Sequence, residues 1–211
     1  MFITFEGVDA SGKSTQAKLL VDRLRREEEK VLLLREPGGT DVSEKIRSIL
    51  LDRSHLNLTQ LSELLLFSAA RAQLVREVIR PALMNGVTVV CDRFYDSTTA
   101  YQGYGRGLGL DQIRLINALA SDGRAPDLTF IVQISVAEIV RRKSLSGETA
   151  DRMESSGPEF YQRVLDGYRA IAAEEPDRCV LLDGMLPVDE LRQAVWHLTC
   201  QRHQNLSMRN A

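Results

Sequence analysis

The chain has 211 residues, which suits one α/β domain with a substantial core and is short for two. Its 27 Lys and Arg nearly balance its 29 Asp and Glu, for a formal charge of −2, whereas general nucleic-acid binders carry a marked basic excess. No apolar run approaches the ~18 residues of a membrane span, so we expect neither a nucleic acid nor a membrane as partner.

A short apolar run at residues 2–5 leads into a glycine-rich stretch that matches the pattern G-x-x-x-x-G-K-S/T, and a helical pattern follows directly. This strand–loop–helix setting is the one that a phosphate-binding loop requires. Glycines let successive backbone N–H groups turn inward, and the N-terminus of the following helix adds positive potential. The sequence therefore predicts a nucleotide-binding segment made of Gly7, Val8, Asp9, Ala10, Ser11, Gly12, Lys13, Ser14 and Thr15.

Two side chains of this phosphate-binding loop (residues 7–14) carry specific chemistry. Lys13 can reach the β- and γ-phosphates of a nucleotide, and the Ser14 hydroxyl can ligate Mg²⁺. A glycine-rich turn without a ligand is the alternative, but the flanking strand and helix disfavour it.

Strand-like apolar runs alternate with helix-like segments along the rest of the chain, which is typical of a parallel sheet covered on both faces. Strands are predicted near residues 1–6, 30–35, 87–91, 128–134 and 179–182. Helices are predicted near residues 13–29, 41–51, 59–84, 110–121, 136–145, 158–174 and 187–202. The predicted fold is a three-layer α/β/α P-loop NTPase domain with five parallel strands and a short lid.

The lid is predicted at residues 144–157, which are small, polar and charged and show no periodicity. Residues 1–205 are expected to form one domain, and residues 206–211 a disordered tail. Thr59 is expected to cap the long third helix.

The cysteine pattern indicates the kind of cellular compartment in which the protein works. Cys91, Cys179 and Cys200 are widely spaced and lack a C-x-x-C pair, which indicates thiols in a reducing compartment. The first predicted strand also begins too early to leave room for a signal peptide. We therefore expect a cytoplasmic protein.

The strand near residues 87–91 ends in Asp92 and Arg93. A carboxylate at the carboxyl end of a central strand lies beside the phosphate-binding loop, where it can hold Mg²⁺ directly or through water. The arginine next to it offers a planar fork suited to a phosphate. A surface turn is the alternative for this pair taken alone.

Three further clusters of polar and aromatic residues lie between residues 35 and 105. Residues 35–40 lie at the end of the second strand, in the crevice where open α/β sheets bind ligands. Phe67 and Arg71 are four residues apart and share one helix face, where they could stack on a base and bond its edge. A core phenylalanine beside a solvated arginine is the alternative. Residues 96–105 by themselves predict only a glycine-rich loop of uncertain role.

Together these motifs resemble the thymidylate kinase family. The resemblance runs in the family's order from residue 5 to about 155 and rests on the phosphate-binding loop, residues 35–40, Phe67 with Arg71, residues 92–95, residues 97–103, residues 126–129 and Asp151-Arg152. It implies an enzyme that transfers phosphate from ATP to dTMP with Mg²⁺ as cofactor, giving dTDP on the way to dTTP for DNA synthesis. It also implies a homodimer.

The resemblance also implies how the base and sugar are recognised. Phe67 would stack on the thymine, and Arg71 would bond its edge. Ser97 and Gln102 would be its further polar partners. Tyr101 would lie against the sugar, where a ribose 2′-OH would clash.

Four other residues would bind the rest of the acceptor. Arg93 matches the arginine that holds the dTMP phosphate, and Asp9 matches an acidic loop residue that approaches the 3′-OH. Glu36 and Pro37 are expected to complete the acceptor site.

Phosphoryl transfer depends on positioning and charge neutralisation. Lys13 and Arg93 would supply fixed cations, and Ser14 and Asp92 would hold Mg²⁺. Because the acceptor is itself a phosphate, we assign no general base.

The lid is expected to supply the last cation. Some family members place an arginine in the phosphate-binding loop where this chain has Ala10, and others supply it from the lid. Arg142 and Arg152 are therefore the candidates for contact with the transition state. For Arg142, an exposed cation at a helix end is the alternative.

Two other classes of function stay open. The nearest is a different nucleotide kinase, acting on UMP, CMP, AMP or a deoxynucleoside. The other is a nucleotide-dependent switch or a silent nucleotide-binding protein, although the chain lacks the N-K-x-D guanine motif.

Overall fold

The computed structural model describes residues 1–55, 57–146, 152 and 157–209. Its strands form one parallel sheet in the order β2-β3-β1-β4-β5. They are β1 (Phe2–Glu6), β2 (Val31–Arg35), β3 (Thr88–Asp92), β4 (Leu128–Gln133) and β5 (Cys179–Asp183). The predicted five-stranded parallel sheet is confirmed, and each strand end lies within one residue of its predicted position.

Helices flank the sheet. They are α1 (Lys13–Arg26), α2 (Asp41–Leu51), α3 (Gln60–Leu74), α4 (Arg80–Met84), α5 (Tyr95–Thr98), α6 (Leu110–Ala120), α7 (Val136–Ser146), α8 (Pro158–Glu174) and α9 (Val188–Arg209). Two π-helical segments, Val75–Ile79 and Thr99–Gly105, connect α3 to α4 and continue α5. Within the described ranges, no helix combines the length and the apolar character needed to cross a bilayer.

The central strands are buried on both faces. In β4, Phe130 and Val132 pack into the core formed with α1 and α9, while Ile131 between them packs into the core formed with α8. Successive strand side chains point to opposite faces, so an unbroken apolar run serves two cores. The predicted layering of helices on both sides of the sheet is thereby confirmed.

The long third helix begins as predicted. The Thr59 hydroxyl accepts the backbone N–H of Ser62 at 3.2 Å, which caps α3. The chain then stays helical to Met84, with the π-helical segment just before Pro81. Proline lacks an N–H and clashes with the carbonyl four residues earlier, and a local change of helical pitch accommodates it.

The prediction of a loop at residues 96–105 is wrong, because Tyr95–Gly105 is helical. Its glycines lower helix propensity, yet they are needed for packing. A Cβ on Gly105 would lie 2.6 Å from the Phe160 ring, and one on Gly103 would lie 2.8 Å from Leu110. Close contact with α8 and α6 therefore outweighs the local propensity.

The structure describes only part of the predicted lid and tail. Residues 147–151 and 153–156 lie outside the described residues, so the lid stays a prediction. Helix α9 continues to Arg209, so the predicted tail at 206–211 begins inside a helix.

Candidate active site

The phosphate-binding loop lies between β1 and α1, at the carboxyl end of the central strand. Gly7 has φ of 133°, and a Cβ there would lie 2.3 Å from the Val132 carbonyl oxygen, while Gly12 has φ of 98°. These positions need glycine, and they let the chain turn directly into the N-terminus of α1. Ser14 and Thr15 in the first turn of that helix are exposed.

Lys13 is buried against its own loop. Its Nζ donates to the Val8 carbonyl at 3.3 Å and lies 3.8 Å from an Asp9 carboxylate oxygen. Burial lowers the pKa of the Lys13 ammonium, and the charge of Arg93 lowers it further. Burial alone would raise the pKa of the Asp9 carboxyl, but Arg93, Lys13 and Lys143 outweigh burial and hold it well below its usual range. Asp9 is therefore an anion at neutral pH.

Asp92 ends β3 beside the loop, since Asp92 is the register partner of Phe5 in β1. Its Oδ1 is buried, as is the Ser11 hydroxyl, and neither atom has a hydrogen-bond partner within the described part of the chain. A buried carboxylate oxygen is costly without a partner. Mg²⁺ commonly takes one or two protein oxygens and completes its shell with waters and substrate phosphates, so Asp92 and the Ser14 hydroxyl fit this ion.

Arg93 connects the loop to a neighbouring pocket. Its guanidinium donates to the Gly7 carbonyl at 2.9 Å, the Asp9 carboxylate at 2.5 Å and the Ser97 hydroxyl at 3.0 Å. It also lies over the Tyr101 ring, 5.2 Å from the centroid. The backbone of Arg93 has φ of 73°, an unfavourable value for a residue with a side chain, which the surrounding contacts maintain.

A pocket of about 600 Å³, including its open mouth, lies beside Arg93. Every residue predicted for acceptor binding lines it: Asp9, Glu36, Pro37, Phe67, Arg71, Arg93, Ser97, Tyr101 and Gln102. The lining also includes four residues that were not predicted: Arg47, Leu51, Phe94 and Thr98. Loops and helices that are distant in sequence thus meet as the motifs predicted.

Arg71 is buried, so the alternative of a solvated arginine is wrong. Its Nε donates to Glu36 at 2.7 Å, and its Nη2 donates to the Thr98 hydroxyl at 3.0 Å and the Phe94 carbonyl at 3.2 Å. Its Nη1 makes a long contact of 3.4 Å to Asn117. Burial raises the pKa of Glu36 to about 7, although Arg71 opposes the shift. The guanidinium is thus held in a fixed orientation at the pocket wall.

Glu63 contacts three side chains behind the wall of this pocket. It is buried in α3 and accepts the Gln102 amide Nε2 at 2.9 Å. It also pairs with Arg152 at 2.6 Å and Arg106 at 3.3 Å. The Arg152 Nε donates further to the Leu50 carbonyl at 2.8 Å. One of the two predicted lid cations is therefore bound to the acceptor side of the molecule.

The other predicted lid cation lies on the loop side. Arg142 donates to the Ala10 carbonyl at 3.1 Å and the Ser11 carbonyl at 3.4 Å, and to the Gly184 carbonyl at 2.9 Å. It also pairs with Glu138 one helical turn earlier, at 2.6 Å. The alternative of a simple helix-end cation is therefore wrong, and the structure does not bring the two predicted lid cations together.

Glu6 lies at the end of β1, fully buried near the pocket. Its Oε1 accepts the Phe94 backbone N–H at 2.7 Å, and its Oε2 accepts the Ser97 hydroxyl at 2.5 Å and the Tyr168 hydroxyl at 3.1 Å. Burial, followed by the charge of Asp96, raises the pKa of Glu6 from 4.5 to about 7, against the lowering effect of these bonds. The carboxyl therefore changes its charge near neutral pH.

The sequence has counterparts among known proteins. A sequence model described as "Thymidylate kinase" matches residues 5–195. The thymidylate kinase of Chlorobaculum parvum is 49% identical over 203 residues, which cover 92% of this chain and 93% of that protein. That of Prosthecochloris aestuarii is 49% identical over 214 residues, with coverage of 98% and 96%. The chain belongs to the thymidylate kinase family.

A solved structure agrees with this assignment. The crystal structure of thymidylate kinase from Ehrlichia chaffeensis matches with a TM-score of 0.77 at 38% identity, covering 94% of this chain and 98% of that one. Membership of the thymidylate kinase family confirms the resemblance drawn from the motifs. It makes the chain a kinase with ATP as phosphate donor, and it disfavours the nucleotide switch and the silent binding protein.

Several contact residues of this thymidylate kinase family member were not found from sequence. They are Glu6, Arg47, Glu63, Arg106 and Tyr168. Glu63 could have been found, because it precedes Phe67 by the same four residues that separate Phe67 from Arg71 on α3. Tyr168 reaches the site from a helix distant in sequence, and no local pattern identifies it.

The Glu6 environment predicts how stability depends on pH. The folded protein keeps a proton that the unfolded chain releases above pH 4.5, so the free energy of unfolding falls as pH rises from about 4.5 to about 7. At about 1.4 kcal/mol per pKa unit, the Glu6 contribution is on the order of 3 kcal/mol. The Glu6→Gln variant lacks this contribution. We therefore expect its free energy of unfolding, measured by urea unfolding, to fall less over the same pH range.

Glu190→Gln, at an exposed position of α9, is the matched control and should follow the wild-type profile. Glu36 contributes with the same sign in all three proteins, so the comparison isolates Glu6. Parallel profiles for wild type and Glu6→Gln would contradict the raised pKa.

Proposed function

We propose that the chain phosphorylates dTMP to dTDP with ATP as donor and Mg²⁺ as cofactor, in the supply of dTTP for DNA synthesis. The observation that carries this proposal is the pocket beside the phosphate-binding loop, because all the residues predicted for acceptor binding line it. The thymidylate kinase relatives, which align over nearly the whole chain, support the same reaction.

On the donor side, the phosphate-binding loop and the first turn of α1 would bind the phosphates of ATP. Lys13 would exchange its contact with the Val8 carbonyl for phosphate oxygens. Ser14 and Asp92 would hold Mg²⁺, which neutralises charge on the transferred phosphoryl group when bound. The buried Asp92 Oδ1, which has no hydrogen-bond partner among the described residues, supports this assignment.

On the acceptor side, Arg93 would hold the dTMP phosphate, since its guanidinium already spans the loop and the pocket. The half-buried Phe67 would stack on the base. Tyr101, fixed beneath Arg93, would lie against the deoxyribose. These side chains align the acceptor with the donor phosphate, and this alignment is the main catalytic contribution of the protein in phosphoryl transfer.

Arg142 and Arg152 remain the proposed cations of the lid side. Arg142 is the stronger candidate because its guanidinium already touches the loop at Ala10 and Ser11. Arg152 pairs with Glu63 in the acceptor wall, which favours a role in shaping the pocket.

A homodimer is part of the proposal. Three helices carry exposed apolar side chains in stripes, and α3 packs against both α2 and α6. We define these side chains as the apolar face: Val42, Ile49, Leu61, Leu65, Leu115 and Leu119. Residues four or seven apart on a helix lie on one side, so each pair forms a continuous stripe. Exposed apolar stripes on neighbouring helices are typical of an interface, and a second copy of the chain would cover them.

We also propose a cytoplasmic location. Cys91, Cys179 and Cys200 are free thiols, the state that a reducing compartment maintains. The nearly balanced charge supports a small-molecule substrate rather than a nucleic acid.

The reaction is tested by ADP release from ATP and Mg²⁺ in the presence of dTMP, dUMP, UMP, CMP, AMP, GMP or thymidine. We expect rapid turnover with dTMP, slower turnover with dUMP and negligible turnover with the others. Lys13→Ala should abolish turnover, because the phosphates lose their fixed cation. Preference for another monophosphate would overturn the base-site assignment, and ADP release independent of any acceptor would overturn the kinase reaction.

Phe67→Ala is expected to raise KM for dTMP, because stacking of a base on an aromatic ring contributes about 1–3 kcal/mol. Phe67→Leu keeps an apolar side chain without an aromatic face and should give an intermediate KM. Steady-state kinetics at saturating ATP would measure both. An unchanged KM together with a lower melting temperature would assign Phe67 to the core alone.

Leu65→Glu is expected to convert the dimer to a monomer, because it places a charge in the middle of the apolar face. Sedimentation equilibrium would measure the mass. Met84→Glu is the matched control, since Met84 is 76% exposed on α4, outside the apolar face. A monomeric wild type, or a Leu65→Glu variant that stays dimeric, would reject this interface.

A further inference from the structure

The side-chain amide of Gln102 has a donor end and an acceptor end, and the structure fixes their directions. Within the described part of the chain, the one hydrogen bond of this side chain runs from Nε2 to Glu63 Oε1, at 2.9 Å. Gln102 also lines the acceptor pocket, whereas Glu63 does not. With Nε2 bound behind the wall, Oε1 is the amide atom left for a ligand.

The surroundings of Glu63 prevent the Gln102 amide from turning over. Its Oε1 receives Arg106 Nε at 3.3 Å, and its Oε2 receives Arg106 Nη2 at 3.5 Å and pairs with Arg152 Nη1 at 2.6 Å. A carboxylate held between two guanidiniums only accepts hydrogen bonds. If the Gln102 amide turned over, its carbonyl oxygen would face this carboxylate, with a bond lost and two acceptors opposed.

Arg71 adds a hydrogen-bond donor to the same wall of the pocket, whereas Gln102 offers an acceptor. Its guanidinium has only donors, and Nη2 binds the Thr98 hydroxyl at 3.0 Å. Thr98 precedes Gln102 by four residues in one helical segment, so Arg71 and Gln102 meet the pocket about one turn apart. A donor and an acceptor therefore lie side by side along the wall.

This pair matches one kind of pyrimidine edge. Thymine and uracil present a carbonyl acceptor at C4 and an N–H donor at N3, which complement Arg71 and the Gln102 oxygen. Cytosine presents an amino donor at C4 and an acceptor at N3, so both contacts would be mismatched. A site built from hydrogen-bonding groups rejects a mismatched analogue strongly, because buried polar groups are left unpaired.

We propose that Glu63 is a positioning residue that determines base specificity: it orients the Gln102 amide so that Oε1 accepts N3–H and the site rejects cytosine nucleotides. This inference rests on the proposed function, in which the pocket binds a pyrimidine monophosphate. It extends that function, because Glu63 would select the base from behind the wall without touching it.

Glu63→Gln tests the inference, because an amide at this position can accept or donate and thus permits both orientations of Gln102. Initial rates of the full chain with ATP and Mg²⁺ give kcat/KM for dTMP and for dCMP. We expect the dTMP/dCMP ratio to fall by about tenfold or more. A purely structural role would lower both values alike and leave the ratio unchanged.

Arg106→Gln is the matched control, since it disturbs the same cluster but leaves Glu63 as an acceptor. The Arg106 side chain is 21% exposed, and its loss should keep the ratio within about twofold of wild type. If Glu63→Gln does not fold, the double variant Glu63→Gln/Arg106→Gln, compared with Arg106→Gln, makes the same test with one cation fewer beside the new amide.

The outcomes separate the two proposals. A wild type that does not phosphorylate dTMP overturns the proposed function and the inference with it. A wild type that prefers dTMP, combined with a folded Glu63→Gln or double variant that keeps the ratio of its control, overturns the role of Glu63 alone. A reduced ratio in these variants and an unchanged ratio in Arg106→Gln supports it.

Discussion

The site depends on the partly buried contact between Arg93 and Asp9, because it joins the segment that would bind the donor phosphates to the segment that would bind the acceptor. Asp9 belongs to the loop after β1, and Arg93 follows β3, which pairs directly with β1. The sheet register, in which Asp92 is the partner of Phe5, thereby sets the distance between the phosphate-binding loop and the acceptor pocket. The left-handed backbone at Arg93 is tolerated because the guanidinium is fixed at several points.

Much of the fold follows from the sequence for simple reasons. Buried parallel strands are continuous apolar runs, so their positions could be predicted to within one residue. The phosphate-binding loop and the Asp92-Arg93 pair could be located because both follow such strands, at the edge where parallel sheets bind ligands. The helical segment at Tyr95–Gly105 could not, since its stability comes from packing partners distant in sequence rather than from local propensity.

Some site residues could likewise be predicted from the sequence, and others could not. Phe67 and Arg71 have a helical spacing that draws attention, whereas the roles of Ser97 and Gln102 came only from a family resemblance. Neither the spacing nor the resemblance indicated that Gln102 is bound to Glu63 behind the wall. Such a contact joins a helix to a segment about forty residues later, and only the folded chain brings them together.

The glycines between the pocket wall and α8 have a mechanical consequence. The segment Thr99–Gly105 and helix α8 exchange glycine–aromatic contacts in both directions: a Cβ on Gly105 would meet Phe160, and one on Gly167 would lie 2.7 Å from Tyr104. At such close approach the two helical segments must move as one body. The wall that presents Tyr101 and Gln102 is therefore rigid before any nucleotide arrives, and the entropy lost on ordering these side chains is paid during folding rather than at each turnover.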